Sequence, residues 1–225
     1  MRLTGFALLV LLSLGVAGYA IVVYGFLPLG SVVHPQMQAA FEAHRFGILL
    51  HIFASVLALG LGPFQFWTRL RTSRPTLHRW LGRVYLGIGV LIGGLAGLAM
   101  AVHAFGGPVA RLGFGALALA WLFTGLCAYR AIRTGDVARH RRWMVRNFAL
   151  TFAAVTLRLW LPASMVAGIE FEAAYRVVAW LCWVPNLVLA EWLFNRRHIT
   201  ASAPRTGLTP SRSAAVAAPI VLPPP

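Results

Sequence analysis

Residues 140–162 read HRRWMVRNFALTFAAVTLRLWLP. The stretch is basic as far as Arg146 and almost wholly apolar from Phe148 onward. A hydrocarbon core of about 30 Å takes roughly 20 apolar residues of helix. The segment therefore reads as a membrane helix whose basic start marks one boundary. Arg158 interrupts it about 18 Å of helix beyond Arg146, which places a permanent cation some two-thirds of the way across. An ionisable group at that depth is costly and faces a partner or a cavity.

Working outward, five more stretches have the length and composition of a span: about Gly5–Leu29, Phe46–Trp67, Trp80–His103, Leu112–Tyr129 and Ala173–Phe194, beside Trp143–Val166. The first resembles a secretory leader in its early basic residue and its small residues near Val16–Ala20. Its apolar character runs on through Phe26, too long for a typical cleaved signal, so it is expected to stay as a helix. Of 225 residues 59% are apolar and 11% charged, with a mean hydropathy of +0.75, which excludes an ordinary soluble domain. The expected fold class is all-α: a polytopic membrane bundle of six transmembrane helices.

A net charge of +15 could signal nucleic-acid binding, but its distribution excludes that class. Arg69, Arg71, Arg74, Arg79 and Arg83 fall on one side of the expected topology, as do Arg130, Arg133, Arg139, Arg141, Arg142, Arg146, Arg196, Arg197, Arg205 and Arg212. The opposite side has only Arg45, Arg111 and Arg176, with Glu42, Glu170 and Glu172. Membrane topology puts arginine on the cytoplasmic side. Both termini are therefore expected in the cytoplasm of a bacterium, the chain lying multi-pass in the inner membrane with the lipid bilayer as its principal partner. Trp67, Trp80, Trp143 and Trp192 mark the same boundary, where indoles favour the interface. Residues 1–198 make the expected transmembrane domain. Residues 199–225, TASAPRTGLTPSRSAAVAAPIVLPPP from 200 onward, are too small and proline-rich to build a core and read as a flexible cytoplasmic tail.

Gly89, Gly93 and Gly97 recur every four residues and line one helix face. They admit a close neighbouring helix or leave room for a flat cofactor. Cys127 and Cys182 lie in apolar runs without metal-ligand spacing, as packing residues do.

The polar residues within or beside the spans form two layers. The outer one has His44, His51, His103 and Arg158. His44 and His51 are seven residues apart and would share one helix face, about 10 Å from each other. The inner layer has Gln65, His78, Arg79, His140, Asn147, Asn186 and Glu191. Each has a plainer role open to it. Arg158 would snorkel or pair with Glu170 or Glu172, His78 and His140 would be solvated loop residues, Asn186 would mend a kink at Pro185, and Glu191 would pair with a basic residue such as Arg83.

Two functional readings follow. In the first, a b-type haem is held by histidines at matching depth on facing helices. His51 and His103 would be its iron ligands, His78 and His140 a second pair, and Arg158 a propionate partner; the function would be membrane redox or electron transfer. His78 and His103 lie about 37 Å of helix apart, so one haem strains the topology less than two. In the second, a receptor or transporter holds an anionic or lipidic ligand on Arg158, with His44, His51 and His103 giving proton-dependent contacts. A quinone or another small molecule is the expected ligand partner, and a homodimer would compensate for the small chain. The alternative to both is a purely structural membrane component. No nucleophile, zinc, phosphate or dinucleotide motif occurs, and five carboxylates leave little for acid–base chemistry.

Four ordered segments carry a resemblance: HRFGILLHIFASVLALGLGPFQFW, LHRWLGRVYLGIGVLIGGLAGLAM, GDVARHRRWMVRNFALTFAAVTLRLWLP and WVPNLVLAEW. Over about Ala43–Trp192 the chain resembles the prokaryotic membrane family called domain of unknown function 2306. That implies a multi-helix bacterial membrane protein without an established activity and brings no catalytic residues. LHRWLGRVY also resembles a segment of the cytochrome b561 proteins, which would make His78 a haem ligand. The histidine spacing elsewhere departs from that family's paired mid-helix pattern.

Overall fold

The computed structural model describes the backbone of residues 3–202 and the side chains of 4–193. Most of the expected tail, with Arg205 and Arg212, lies outside the described residues, as do the side chains of Arg196 and Arg197. Eight helices, α1 Leu3–Phe26, α2 Pro35–Ala43, α3 Arg45–Gln65, α4 Thr68–Ser73, α5 Pro75–Ala101, α6 Gly107–Arg133, α7 Val137–Val166 and α8 Phe171–Leu193, account for the fold, and there is no strand among the described residues. Six of them (α1, α3, α5, α6, α7, α8) are long and apolar enough to span a bilayer.

The observed spans run past the apolar stretches, most clearly in α5, α6 and α7. Helical hydrogen bonding satisfies the backbone through the interface, so an apolar run marks the hydrocarbon and not the helix end. The ends have their own chemistry. Gly135, at φ 80°, turns the chain between α6 and α7, and the Asp136 carboxylate caps α7 by accepting from the Arg139 N–H at 2.8 Å. The Glu170 carboxylate caps α8, accepting from Glu172 N and Ala173 N at 2.8 Å each. These two donors hold its carboxyl below the usual range, so this cap is lost only as pH falls through that lowered value.

In space α3 lies between α1 and α5, α6 between α5 and α7, and α8 against α6 and α7. The glycine stripe of α5 packs against α3. A Cβ on Gly89 would stand 2.8 Å from the Ala58 Cβ, one on Gly93 3.2 Å from the Ala54 Cβ, and one on Gly97 2.7 Å from His51 Nδ1. One α3 residue thus answers each glycine. Of the two uses open to the stripe, helix packing is the one realised.

At mid-depth a closed hydrogen-bond network joins three spans. The Tyr85 hydroxyl of α5 donates to Asn147 Oδ1 (2.7 Å) and meets Thr151 Oγ1 (2.9 Å). Asn147 Nδ2 donates to the Trp121 carbonyl (2.8 Å) and to Thr124 Oγ1 (2.9 Å), while the Trp121 indole donates to Thr151 Oγ1 (2.8 Å). Asn147 and Tyr85 have no exposed surface. Every donor of the Asn147 amide is used, which is what burial away from water demands.

Replacing Asn147 by Leu should lower stability in detergent by about 1–3 kcal/mol, because the Tyr85 and Thr124 hydroxyls and the Trp121 carbonyl each lose one buried hydrogen bond. Tyr85→Phe should cost less, about 1 kcal/mol. Unfolding by SDS titration in mixed micelles reads both, and unchanged midpoints in the two variants would refute the network's role.

Candidate functional site

The arginine-poor end of the bundle holds a cavity of about 300 Å³ that reaches inward to mid-depth. Trp121 of α6, Thr151 of α7 and Ser55 of α3 line its inner part. These are mid-helix positions, and two of them belong to the buried network. Met37 and Phe41 of α2 line the outer part, with His44, His103 and Phe105. Tyr24, His51 and Arg158 also line it. The sequence-derived outer layer of His44, His51, His103 and Arg158 is thus brought onto one cavity.

His44 and His51 do not share a continuous helix face. The chain breaks at His44 (φ −116°, ψ 31°), which ends α2 and precedes α3. The spacing alone could not show this, because Pro35 starts a separate short helix just before it. His44 instead stacks on His103, with ring centroids 3.7 Å apart and planes at 23°.

His51 sits one turn from Ser55 on α3, facing Gly97. The Gly93 carbonyl accepts its Nδ1–H at 2.8 Å, which leaves Nε2 as an acceptor. Gly93 follows a π-helical stretch of α5, Tyr85–Ile92. Such wide turns disturb the regular hydrogen-bond ladder and recur at functional sites.

Arg158 meets none of the carboxylates named for it. Glu172 pairs with Arg176 and Glu170 caps α8, because both lie in the turn and first helical turn after α7. The guanidinium donates to the Ala154 carbonyl at 2.9 Å and stands over the Tyr19 ring, 5.6 Å from its centroid. Tyr24 lies within electrostatic range of it. Two tyrosines of α1 thus stand beside the cation at the cavity, with no carboxylate partner among the described residues. A guanidinium has five donors in a planar fork, so capacity remains for an anion.

Of the inner-layer residues, Glu191, Asn186 and His140 find partners within the bundle. Glu191 pairs with Arg146 and not with Arg83: Arg146 Nε donates to Oε1 and Nη2 to Oε2, the latter at 2.8 Å. Arg83 lies over the Trp80 ring instead, 5.0 Å from its centroid. Asn186 Nδ2 donates to the Cys182 carbonyl at 2.9 Å and reaches Thr156 Oγ1 at 3.1 Å, at the interruption before Pro185. The His140 Nδ1–H donates to the Ala128 carbonyl at 2.8 Å. His78 is half-buried with an unpartnered Nδ1, and Arg71 and His140 are within electrostatic range of it.

For a haem the residues fit poorly. Ligation by two histidines needs rings that face an iron across a flat macrocycle. Of the ligands named, His103 has its ring stacked on His44, and neither His78 nor His140 lines the cavity that His51 and His103 share. His51 keeps the pattern of a metal-ligating imidazole, with its other nitrogen donating to a carbonyl, and His140 in the inner layer has the same pattern. Sequence reasoning missed Tyr19, Tyr24, Ser55, Trp121 and Thr151, which look like ordinary interfacial aromatics and span-filling small polar residues.

No curated protein and no solved structure matches the chain, and the local likeness to cytochrome b561 finds no support among them. A family model described as predicted membrane protein (DUF2306) matches residues 48–194. That match covers α3 from Ile48 to the end of α8, with the inner part of the cavity, His51, His103 and Arg158. The chain is therefore a multi-pass membrane protein and a member of the DUF2306 family.

Proposed function

We propose that the protein binds a small anionic amphiphile in this cavity, as a receptor or transporter, with the anionic group on Arg158. The observation that carries the reading is a half-buried guanidinium on a largely apolar cavity wall, held by the Ala154 carbonyl and the Tyr19 ring and facing no carboxylate among the described residues. A charge in that setting is stabilised by a counter-charge from outside the chain. A volume of about 300 Å³ is at the lower end for small-molecule sites, roughly 300–1,000 Å³, and suits a headgroup with the first part of a chain. Met37, Phe41, Phe105 and Leu157 supply the apolar surface. The arginine asymmetry of the loops supports a cytoplasmic location for both termini in a bacterial inner membrane. Residues 199–225 would then form a cytoplasmic tail.

The test is stabilisation of the purified protein in an uncharged detergent by laurate, against dodecanol of the same chain length. Laurate should raise the unfolding temperature and dodecanol should not. Arg158→Gln should weaken laurate at least tenfold, in line with about 1.5–3 kcal/mol for hydrogen bonds to a charged group. Equal effects of the two compounds, or an unchanged response in Arg158→Gln, would refute the proposal.

Haem redox chemistry is the competing reading, and His51 is the residue that supports it. Purified from cells supplied with haem precursor, the protein is expected to show no Soret band that Nε2 of His51 maintains. A band present after dithionite reduction and lost in His51→Ala would reverse the order of the two readings.

A further inference from the structure

The stacked imidazoles sit where the cavity meets the arginine-poor face. His44 is the joint between α2 and α3, and His103 follows α5 in the turn to α6, so the stack bridges two segments that are not adjacent in the chain. Both residues line the cavity. His103 is exposed and His44 half-buried, so protons from bulk water reach the pair directly.

What lies beyond the stack is loosely held. α2 has no buried residue. Its other end is fixed by a second stack, His34 on Phe171, with centroids 3.9 Å apart and planes at 8°. A hydrogen bond from Gln38 Nε2 to the Gly30 carbonyl (3.1 Å) adds to that anchor. The two stacks respond differently to acid. An imidazolium over a phenyl ring is a cation–π contact and remains attractive. Two imidazoliums at 3.7 Å repel, by about 4 kcal/mol at a near-surface effective dielectric.

We propose that the His44–His103 pair is an acid-opened gate over the cavity: neutral or singly protonated it closes the mouth between the α2–α3 joint and the α5–α6 turn, and doubly protonated it parts. The regulation rests on the ligand-binding reading of the same cavity, whereas the gate itself can be tested without any ligand.

The charged and titratable groups around the pair favour opening once both rings carry protons. Glu42 and Arg45 flank His44 in the chain. Arg111 of α6 donates through Nε to the carbonyl of Ala104, the neighbour of His103. His51 of α3, Arg158 of α7, Tyr24 of α1 and Tyr175 of α8 share the cavity wall. Arg176 of α8 donates to the Gly106 carbonyl in the same turn and pairs with Glu172, so four arginines stand against two carboxylates, one of them already paired, and the second proton has little compensation. His34, at the far end of α2, has Glu170 within electrostatic range and retains its anchor.

The experiment measures access to the cavity with a water-soluble maleimide and a cysteine at position 55, introduced as Ser55→Cys into the full-length protein with Cys127→Ala and Cys182→Ala. Labelling rates at pH 5 and pH 7.5 are divided by those of the same protein carrying His44→Phe and His103→Phe, which keeps a ring stack and cannot charge. This quotient removes the pH dependence of the thiol itself. The expected result is a quotient about tenfold higher at pH 5 than at pH 7.5. His103→Phe alone should abolish the rise, since one imidazolium on a phenyl ring still attracts. Equal quotients at the two pH values, or a rise that survives in His103→Phe, would overturn the gate. If Ser55→Cys does not fold, Ile48→Cys on the same wall replaces it. Laurate binding at pH 7.5 to the protein with His44→Ala and His103→Ala, in which no ring stack closes the mouth, reports on the ligand reading separately, so failure of one does not imply failure of the other.

Discussion

The buried network around Asn147 is the constraint on which the remaining structure depends. In hydrocarbon no water can satisfy a stray donor or acceptor, so three polar spans must meet in one register or not at all. Tyr85 of α5, Trp121 and Thr124 of α6, and Asn147 and Thr151 of α7 meet that demand together. Sliding any of these helices by one turn would orphan several buried groups at once. Trp121 and Thr151 also line the inner part of the cavity, so the interaction that fixes the helices fixes the depth of the site.

The second constraint is contact between α5 and α3. With Gly89, Gly93 and Gly97 against Ala58, Ala54 and His51, α5 adds no side-chain volume at these three positions. The helices approach closely enough for the Gly93 carbonyl to take the His51 Nδ1–H. That bond sets the tautomer of the imidazole nearest the middle of the cavity wall. Packing and site chemistry are therefore one arrangement: the glycine that permits the approach also supplies the acceptor.

Much of the polar inventory was legible in the sequence, because a polar residue inside an apolar run stands out. His44, His51, His103 and Arg158 were placed in one outer layer by helical rise alone, and they line one cavity. Their pairwise relations were not legible. Helical spacing put His44 on the face of His51, whereas the break at His44 turned its ring onto His103. Glu191 was matched to Arg83 by side and charge, yet Arg146 offers the two-point contact. Tyr19 and Tyr24 passed unnoticed because aromatic residues near a span's end are commonplace.

By itself the sequence determined the class of solvent and the number of crossings. Apolar length and arginine clustering depend on composition along one dimension, and the bilayer reads them segment by segment. It also determined that an arginine and three histidines lie near one face. Only the tertiary structure decided what those groups touch. Hydrogen bonds and ring stacks act over 3–4 Å, and that distance depends on the rotation and breaks of six helices at once, which no single segment encodes.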